Sequence, residues 1–133
     1  MSENLHLVRS IYAAWERGDF GSADWAHPEI ELVATEGPDA SQSTGVAAMA
    51  ERWRYWMSSW ENYRSEAEEY RELDSERVLV LMRHRGRGRT SGVEVEQLDM
   101  RGTNLFHIRN GKVVRLTLYW DRKSALADLG LKE

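Results

Sequence analysis

The sequence predicts an α+β fold in which a bent antiparallel sheet wraps around N-terminal helices and leaves an apolar pocket open at one end. Helical periodicity is concentrated before residue 60, and β-forming segments follow one another from residue 63 to residue 120. No internal repeat or linker divides the chain. Helices followed by a run of strands are typical of antiparallel α+β proteins. We therefore expect residues 1–133 to form a single domain, a normal size for one.

Composition excludes several classes of function. The net charge of −4 gives no attraction for nucleic acid or anionic lipid, so neither is expected as a partner. The chain lacks cysteine, which excludes disulfides and thiolate nucleophiles. Its four histidines lack HxH or HxxxH spacing, so we expect no metal site and no cofactor. The start of the chain, MSENLHLVRS, does not look like a signal peptide, and a cytoplasmic location is expected.

The first half of the chain predicts helices and one strand. Apolar residues recur every three or four positions between Ser2, a plausible N-cap, and Gly18, a plausible stop. Residues 20–25 are expected to form a short second helix that ends near Pro28. A strand at 29–35, a loop at 36–44 and a helix at 46–60, capped by Ser43 or Thr44, complete this half.

The second half predicts a meander of about four strands. Residues 63–73 and 77–84 are expected to pair across a turn at 74–75, although the first segment is rich in Glu and Arg and could also be helical. Residues 93–108 predict a long bent strand. Asn110-Gly111 is a two-residue hairpin signal because a type I′ turn needs positive φ at both positions. A last strand at 113–120 and a short amphipathic segment at 122–131 follow.

Four segments in this order resemble one known superfamily. They are IYAAWERGDF, HPEIEL, STGVAAMAERW and FHIRNGKVVRLTLYWDRKSAL, and together they span nearly the whole chain. The chain is similar to nuclear transport factor 2-like proteins, and within them to the small SnoaL-like and ketosteroid isomerase-like proteins. The resemblance implies a conical α+β barrel, commonly a homodimer through the convex sheet face, with a small-molecule pocket at its open end. Because this fold hosts many activities, function must be argued from the pocket residues.

Strand alternation predicts which side chains face the pocket. Matching the last hairpin to the family turns Leu105, His107, Arg115, Thr117 and Tyr119 outward. The inward set is Val78, Val80, Met82, His84, Asn104, Phe106, Ile108, Leu116, Leu118 and Trp120.

The resemblance also allows catalytic positions of the isomerase to be compared. Glu36 falls near the carboxylate that shuttles a proton, and Asn104 stands where a protonated aspartic acid would be. The tyrosine position is approached by Ile11, with Tyr12 one residue away, which rotates the side chain by about 100° around a helix. An amide donates a hydrogen bond but lacks the acidity of a carboxylic acid, so steroid isomerisation is not expected.

Each candidate also has an ordinary structural interpretation. Glu36 could be a solvated loop residue, and His84, which has the pKa range for acid–base chemistry, could be half-exposed at a hairpin end. Asn104 could contact a ligand or serve a structural hydrogen bond. Asp121 could orient a ligand or cap the last helix. The apolar walls could equally be ordinary core; they are Trp15, Trp53, Trp56, Met82, Phe106, Leu118 and Trp120.

Three hypotheses follow. The first is binding of a small apolar carbonyl or polycyclic compound, with cofactor-independent proton transfer of the isomerase or cyclase type. Glu36 or His84 would be the base, and Asn104 with Tyr12 would stabilise negative charge. The second is a non-catalytic dimeric module that binds ligand or mediates association, its pocket filled by its own tryptophans. The third is an epoxide hydrolase that uses Asp99, Arg101 and Asp121.

One basic run remains open to two interpretations. Arg83, Arg85, Arg87 and Arg89 alternate with histidine or glycine, so in a strand they would share one face. A nucleic-acid stripe would look similar. Glutamates dominate the preceding segment, however, and cross-strand ion pairing is the simpler interpretation.

Overall fold

The computed structural model describes residues 2–20, 24–34, 41–58, 60–88, 97–119 and 122–131. Three helices and six strands lie within these ranges. In chain order they are α1 (Glu3–Glu16), β1 (Ala26–Ala34), β2 (Ser41–Thr44), α2 (Val46–Met57), β3 (Trp60–Glu72), β4 (Arg77–Gly88), β5 (Gln97–Arg109), β6 (Lys112–Tyr119) and α3 (Arg122–Asp128).

The strands form one curved, unclosed sheet in the order β2-β1-β6-β5-β4-β3. Strands β3 to β6 make the expected antiparallel meander. Strand β1 runs parallel to β6, with Leu32 opposite Leu116, so the sheet is mixed and the expectation of a purely antiparallel sheet was wrong at this pair. Register shifts in three of the pairings bend the strands, as β-bulges do.

Helix α1 packs on the inner face of this sheet. The Ser2 hydroxyl accepts the backbone N–H of Leu5 at 3.0 Å and caps the helix, as the sequence indicates. The inner face of the sheet matches the strand alternation that the sequence predicts, because alternate residues of β4, β5 and β6 join the same core as the buried stripe of α1. This core includes Val8, Tyr12, Trp15, Val78, Val80, Met82, Phe106, Ile108 and Leu116.

The outer face of the sheet carries a second apolar cluster, which α3 covers. Leu79 and Leu81 of β4 pack with Leu126 of α3, and all three are buried. Tyr119 faces outward as expected, yet it is 8% exposed, and its hydroxyl donates to the Asp128 carboxylate at 2.9 Å. The last helix therefore shields part of the convex surface from solvent.

The region around Pro28 differs from the sequence prediction. Residues 24–25 form a turn and β1 begins at Ala26, so the helix expected to end near Pro28 is not formed there. The β1–β6 register is interrupted between Ala26 and Glu31. Proline cannot donate to a ladder, and it is tolerated here because the ladder is already broken.

The segment before α2 also differs. Residues 41–44, expected to be loop, form the edge strand β2 against β1. Gly45, with φ of 99°, leads into α2: its carbonyl accepts from Met49 at 3.1 Å, so it occupies the cap position expected for Ser43 or Thr44. The predicted Asn110-Gly111 hairpin turn is confirmed, with φ of 50° and 75°.

Candidate functional site

A buried pair of polar side chains lies where α1 crosses the inner face of the sheet. Tyr12 is fully buried and Asn104 is 5% exposed. The Asn104 amide Nδ2 donates to the Tyr12 hydroxyl at 2.7 Å. On the sheet, Asn104 stands between Val80 and Leu118 in a cross-strand row. Asn104 therefore makes the structural hydrogen bond that was one of its two interpretations, and its partner is a second polar group in an apolar surrounding.

The Tyr12 hydroxyl is held in its protonated form. Burial raises the pKa of Tyr12 well above its usual value, and the hydrogen bond from Asn104 opposes this only in part. Because the oxygen accepts from the amide, the hydrogen of the hydroxyl is directed elsewhere and can be donated. A hydroxyl so arranged can polarise a carbonyl oxygen without losing its proton.

A second set of polar side chains surrounds His84, on the same face of the sheet as Asn104. The Tyr63 hydroxyl lies 2.5 Å from His84 Nδ1 and 3.0 Å from the Ser65 hydroxyl. Burial lowers the pKa of His84 to about 4 because it disfavours the imidazolium. The ring is therefore neutral at pH 7, with one nitrogen able to accept a proton.

Aromatic rings connect these two polar groups. Tyr12 meets Trp15 at a centroid distance of 5.0 Å, and Trp15 stacks on Phe20 at 5.9 Å. Phe20 lies 5.5 Å from Tyr63, which stacks on His84 at 5.8 Å. The inner face thus has an aromatic wall with hydrogen-bonding groups at both ends.

The spacing of the two polar groups follows from the strand register. Asn104 pairs with Val80, and His84 lies four residues further along β4, a rise of about 13 Å in an extended strand. Between them lie Met82, which is buried, and its partner Gly102. A buried part of the inner face therefore separates the two polar groups.

The structure brings together most of the described residues that the sequence predicts for the pocket. Tyr12, Trp15, Met82 and Phe106 belong to one core cluster, and Asn104 joins it through Tyr12. Trp53 and Leu118 are partly buried against the same cluster. Glu36, Trp120 and Asp121 lie outside the described residues, as does the side chain of Trp56.

Two members of the site were missed by sequence reasoning. Tyr63 and Ser65 lie in a segment dominated by Glu and Arg, which obscures the alternation of β3. The available signal was the pairing of 63–73 with 77–84. In such a pair a residue of β3 lies on the same face of the sheet as its partner on β4, and so does the residue two positions away on β3. Ser65 indeed stands directly opposite His84.

The described residues also outline a cleft at the side of α1. It holds about 320 Å³ and lies between α1, the turn before β1 and the Asn110-Gly111 turn. Its lining includes Leu7, Asp19, Trp25 and Lys112. It also includes Trp15, one of the residues predicted to line the ligand pocket. Among the described residues that line it, the cleft shares Trp15 with the aromatic wall and includes none of Tyr12, Asn104, Tyr63 and His84.

Charged residues on the outer face form ion pairs. Arg85 lies 3.0 Å from Glu66 across the β3–β4 pair, so the cross-strand pairing expected for the basic run is confirmed there. Arg101 is exposed on the outer face, 3.9 Å from Glu68. An epoxide hydrolase set inside the pocket would therefore lack its arginine, and that part of the third hypothesis is wrong.

The described ranges contain neither a cluster of metal ligands nor a helix suited to cross a membrane. Within them, no three histidine, aspartate or glutamate side chains cluster as metal ligands would. Nor does any described helix combine the length and apolarity needed to cross a membrane.

Comparison with known proteins identifies relatives by family and by fold. The family model of the SnoaL-like domain matches residues 8–116. No curated protein matches the chain at a significant level.

Solved structures match over nearly the whole length. An NTF2-like protein of unknown function from Burkholderia pseudomallei is 20% identical, with a TM-score of 0.74 and coverage of 96% of this chain and 97% of its own. TerC, co-crystallized with polyporic acid, is 21% identical, with a TM-score of 0.73 and coverage of 96% and 98%. A putative polyketide cyclase from Xanthomonas campestris is 21% identical, with a TM-score of 0.71 and coverage of 94% and 95%. At these identities the likeness extends to the fold.

Proposed function

Since the chain belongs to the SnoaL-like domain family, we propose that it binds a small, largely apolar carbonyl compound on the inner face of its sheet and moves a proton within it. The observation that carries this proposal is the buried hydrogen bond from Asn104 to the Tyr12 hydroxyl. The names of two structural relatives, one holding polyporic acid and one a putative polyketide cyclase, agree with such a ligand.

The proposed reaction is a cofactor-independent isomerisation or cyclisation. A base removes a proton from the carbon next to the carbonyl, and the electron pair of the C–H bond moves to form an enolate. The Tyr12 hydroxyl, supported by Asn104, donates to the enolate oxygen as its charge develops. The protonated base then returns the proton to carbon, or the enolate carbon attacks a second carbonyl in the same molecule, whose oxygen takes the proton.

Two residues are candidates for the base. His84 is neutral at pH 7 and lies on the same face of the sheet as Asn104, four residues along β4 from the row of Asn104. A pKa of about 4 makes it a weak base, and so it suits a carbon acid whose enolate is strongly stabilised. Glu36, outside the described residues, remains the second candidate from the family resemblance.

The test measures binding and proton exchange separately. We expect polycyclic ketones and hydroxyquinones to quench the fluorescence of the tryptophans, because Trp15 lies in the aromatic wall. In D₂O, nuclear magnetic resonance should show exchange of the ligand's acidic C–H with solvent. Tyr12→Phe should slow this exchange about a hundredfold while the affinity changes less, as expected for an interaction that strengthens in the transition state.

A matched control makes the result specific. Tyr55 is 72% exposed on α2, so Tyr55→Phe removes the same hydroxyl from a surface position and should leave exchange unchanged. His84→Asn tests the base and should slow exchange at saturating ligand. Exchange that proceeds at the wild-type rate in both Tyr12→Phe and His84→Asn would contradict the mechanism.

A second candidate, a non-catalytic association module, is favoured by one specific observation. Trp15 is 4% exposed and packs edge-on against Tyr12, Trp25 and Trp53. Rings packed in this way could fill the interior themselves. Failure of the whole ligand panel to quench fluorescence or to alter the NMR spectrum would favour this candidate over the first.

A further inference from the structure

We propose that Tyr63 is a positioning residue for His84, holding the imidazole ring so that Nε2 lies over the inner face of the sheet. The inference deepens the proposed function, since it concerns the ring that would carry the proton. The placement of the ring itself can be tested without any ligand.

The backbone brings the participating side chains to one face. Ser65 stands directly opposite His84 in the β3–β4 pair, and Tyr63, two residues before Ser65, shares its face. The register of β3 shifts between Glu61 and Arg64, which places Tyr63 at an irregularity in the strand. Such irregularities redirect side chains and are common beside active sites.

The hydroxyl of Tyr63 links two partners. It lies 2.5 Å from His84 Nδ1 and 3.0 Å from the Ser65 hydroxyl. A phenol has one hydrogen, so it donates to one partner and accepts from the other. The tautomer of His84 is therefore coupled to the direction of this short chain of hydrogen bonds.

The other edge of the imidazole ring lies against Gly102 of β5. A Cβ added at Gly102 would lie 2.9 Å from His84 Nε2 and 3.3 Å from its Cδ2. The ring thus occupies the space that any larger side chain on β5 would take. Gly102 faces inward in the same alternation as Asn104, so Nε2 lies over Gly102 on the inner face of the sheet.

If Nε2 is the basic nitrogen, the donor and the acceptor of each hydrogen bond in this group are determined. Nδ1–H then donates to the Tyr63 oxygen, and the Tyr63 hydroxyl donates to Ser65. When Nε2 takes a proton from carbon, the ring becomes an imidazolium, keeps its Nδ1 proton and later returns the new proton from Nε2. The bond from Nδ1 to Tyr63 becomes charge-assisted during this step and stabilises the imidazolium.

The test is the ¹⁵N spectrum of the four histidines, with His84 assigned from its absence in His84→Asn. In the wild type we expect the shifts of a neutral ring protonated at Nδ1. Tyr63→Phe keeps the ring stacked between Phe20 and His84 but removes the hydroxyl, and it should move His84 toward the tautomer protonated at Nε2. At saturating ligand, kcat should fall about tenfold with KM within about twofold, as for one charge-assisted hydrogen bond.

Two further variants keep the test decisive. Ser65→Ala removes the second partner of the phenol and should shift the His84 signals in the same direction by less, even if Tyr63→Phe does not fold. Tyr55→Phe is the matched surface control and should change nothing. Unchanged His84 shifts in both Tyr63→Phe and Ser65→Ala would overturn the inference.

The outcomes also separate this inference from the proposed function. A changed tautomer in Tyr63→Phe together with full turnover in His84→Asn supports the positioning role and contradicts His84 as base. Loss of turnover in His84→Asn with an unchanged tautomer in Tyr63→Phe and Ser65→Ala supports the base and overturns the positioning role.

Discussion

At the scale of single residues, the pair Tyr12 and Asn104 combines a structural cost with a chemical use. A buried polar group without a partner costs free energy, and each of these side chains supplies the partner of the other. In the proposed function, the same two polar groups would receive the carbonyl oxygen of the ligand. The pair would then serve stability and the proposed chemistry through the same atoms.

A double-mutant cycle measures this coupling. Asn104→Leu leaves the Tyr12 hydroxyl buried without its donor and should lower the free energy of unfolding by about 2 kcal/mol. Adding Tyr12→Phe removes the orphaned hydroxyl, so the double variant should be less destabilised than the two single changes added together. Urea denaturation of the four proteins gives the coupling energy, and strict additivity would contradict the contact.

Residue-scale prediction from sequence succeeded on the last hairpin. Matching this hairpin to the family predicted inward positions for Asn104 and Phe106, and both side chains are buried, although the β5–β6 register shifts between His107 and Ile108. Tyr12 was placed one residue away from the family's tyrosine position, and the sequence could not show how its ring reaches Asn104. That contact depends on how α1 crosses the sheet, which local periodicity does not determine.

At the scale of elements, α3 is the covering layer of the outer face. A strand such as β4 is apolar on both sides, with Val80 facing the core and Leu79 and Leu81 facing outward. Both faces of such a strand must be covered by other elements. The sequence predicted the inner layer from helical periodicity, whereas the contact of the outer leucines with α3 was not predicted.

Truncation of the α3 contact should therefore destabilise the fold. Leu126 is 3% exposed, and Leu126→Ala should cost about 3 kcal/mol because it removes buried methyl groups and leaves a cavity. Ala127 is exposed on the same helix, and Ala127→Ser is the matched control. Thermal or urea denaturation compares them; equal stability of the two variants would show that α3 does not pack as described.

The elements that the sequence missed share one property. Strand β2, with the sequence SQST, has no apolar alternation and is defined by its pairing with β1. The turn at 24–25 leads straight into β1, although propensity favoured a short helix. Short elements bury little surface of their own, so their conformation is decided by neighbours distant in sequence.

At the scale of the whole molecule, ionisable groups on both faces make stability fall in acid. The pKa of His84 is lowered to about 4 by burial, so the unfolded chain binds a proton that the folded chain refuses between pH 6.5 and 4. On the surface, the Arg122 guanidinium lowers the pKa of Glu68, and the backbone N–H of Glu76 lowers that of Asp74. These carboxylates contribute stability that is lost at lower pH still.

A pH series of unfolding experiments tests this sign. We expect the free energy of unfolding to decrease from pH 6.5 toward pH 4, with His84 contributing on the order of 3 kcal/mol over that interval. In His84→Asn this part of the slope should disappear, while the loss caused by the carboxylates below about pH 4 should persist. A wild-type slope retained in His84→Asn would show that the imidazole titrates normally.

The parallel pairing of β1 with β6 affects when the sheet can form during synthesis of the chain. Leu32 emerges from the ribosome long before its partner Leu116, and β1 can gain only its short neighbour β2 in the meantime. Bringing such distant segments together is the slow part of folding for a sheet protein. Until β6 docks, the apolar side chains of β1 lack the neighbouring strand that pairs with them, and during synthesis this is the interval in which a chaperone would have most to bind.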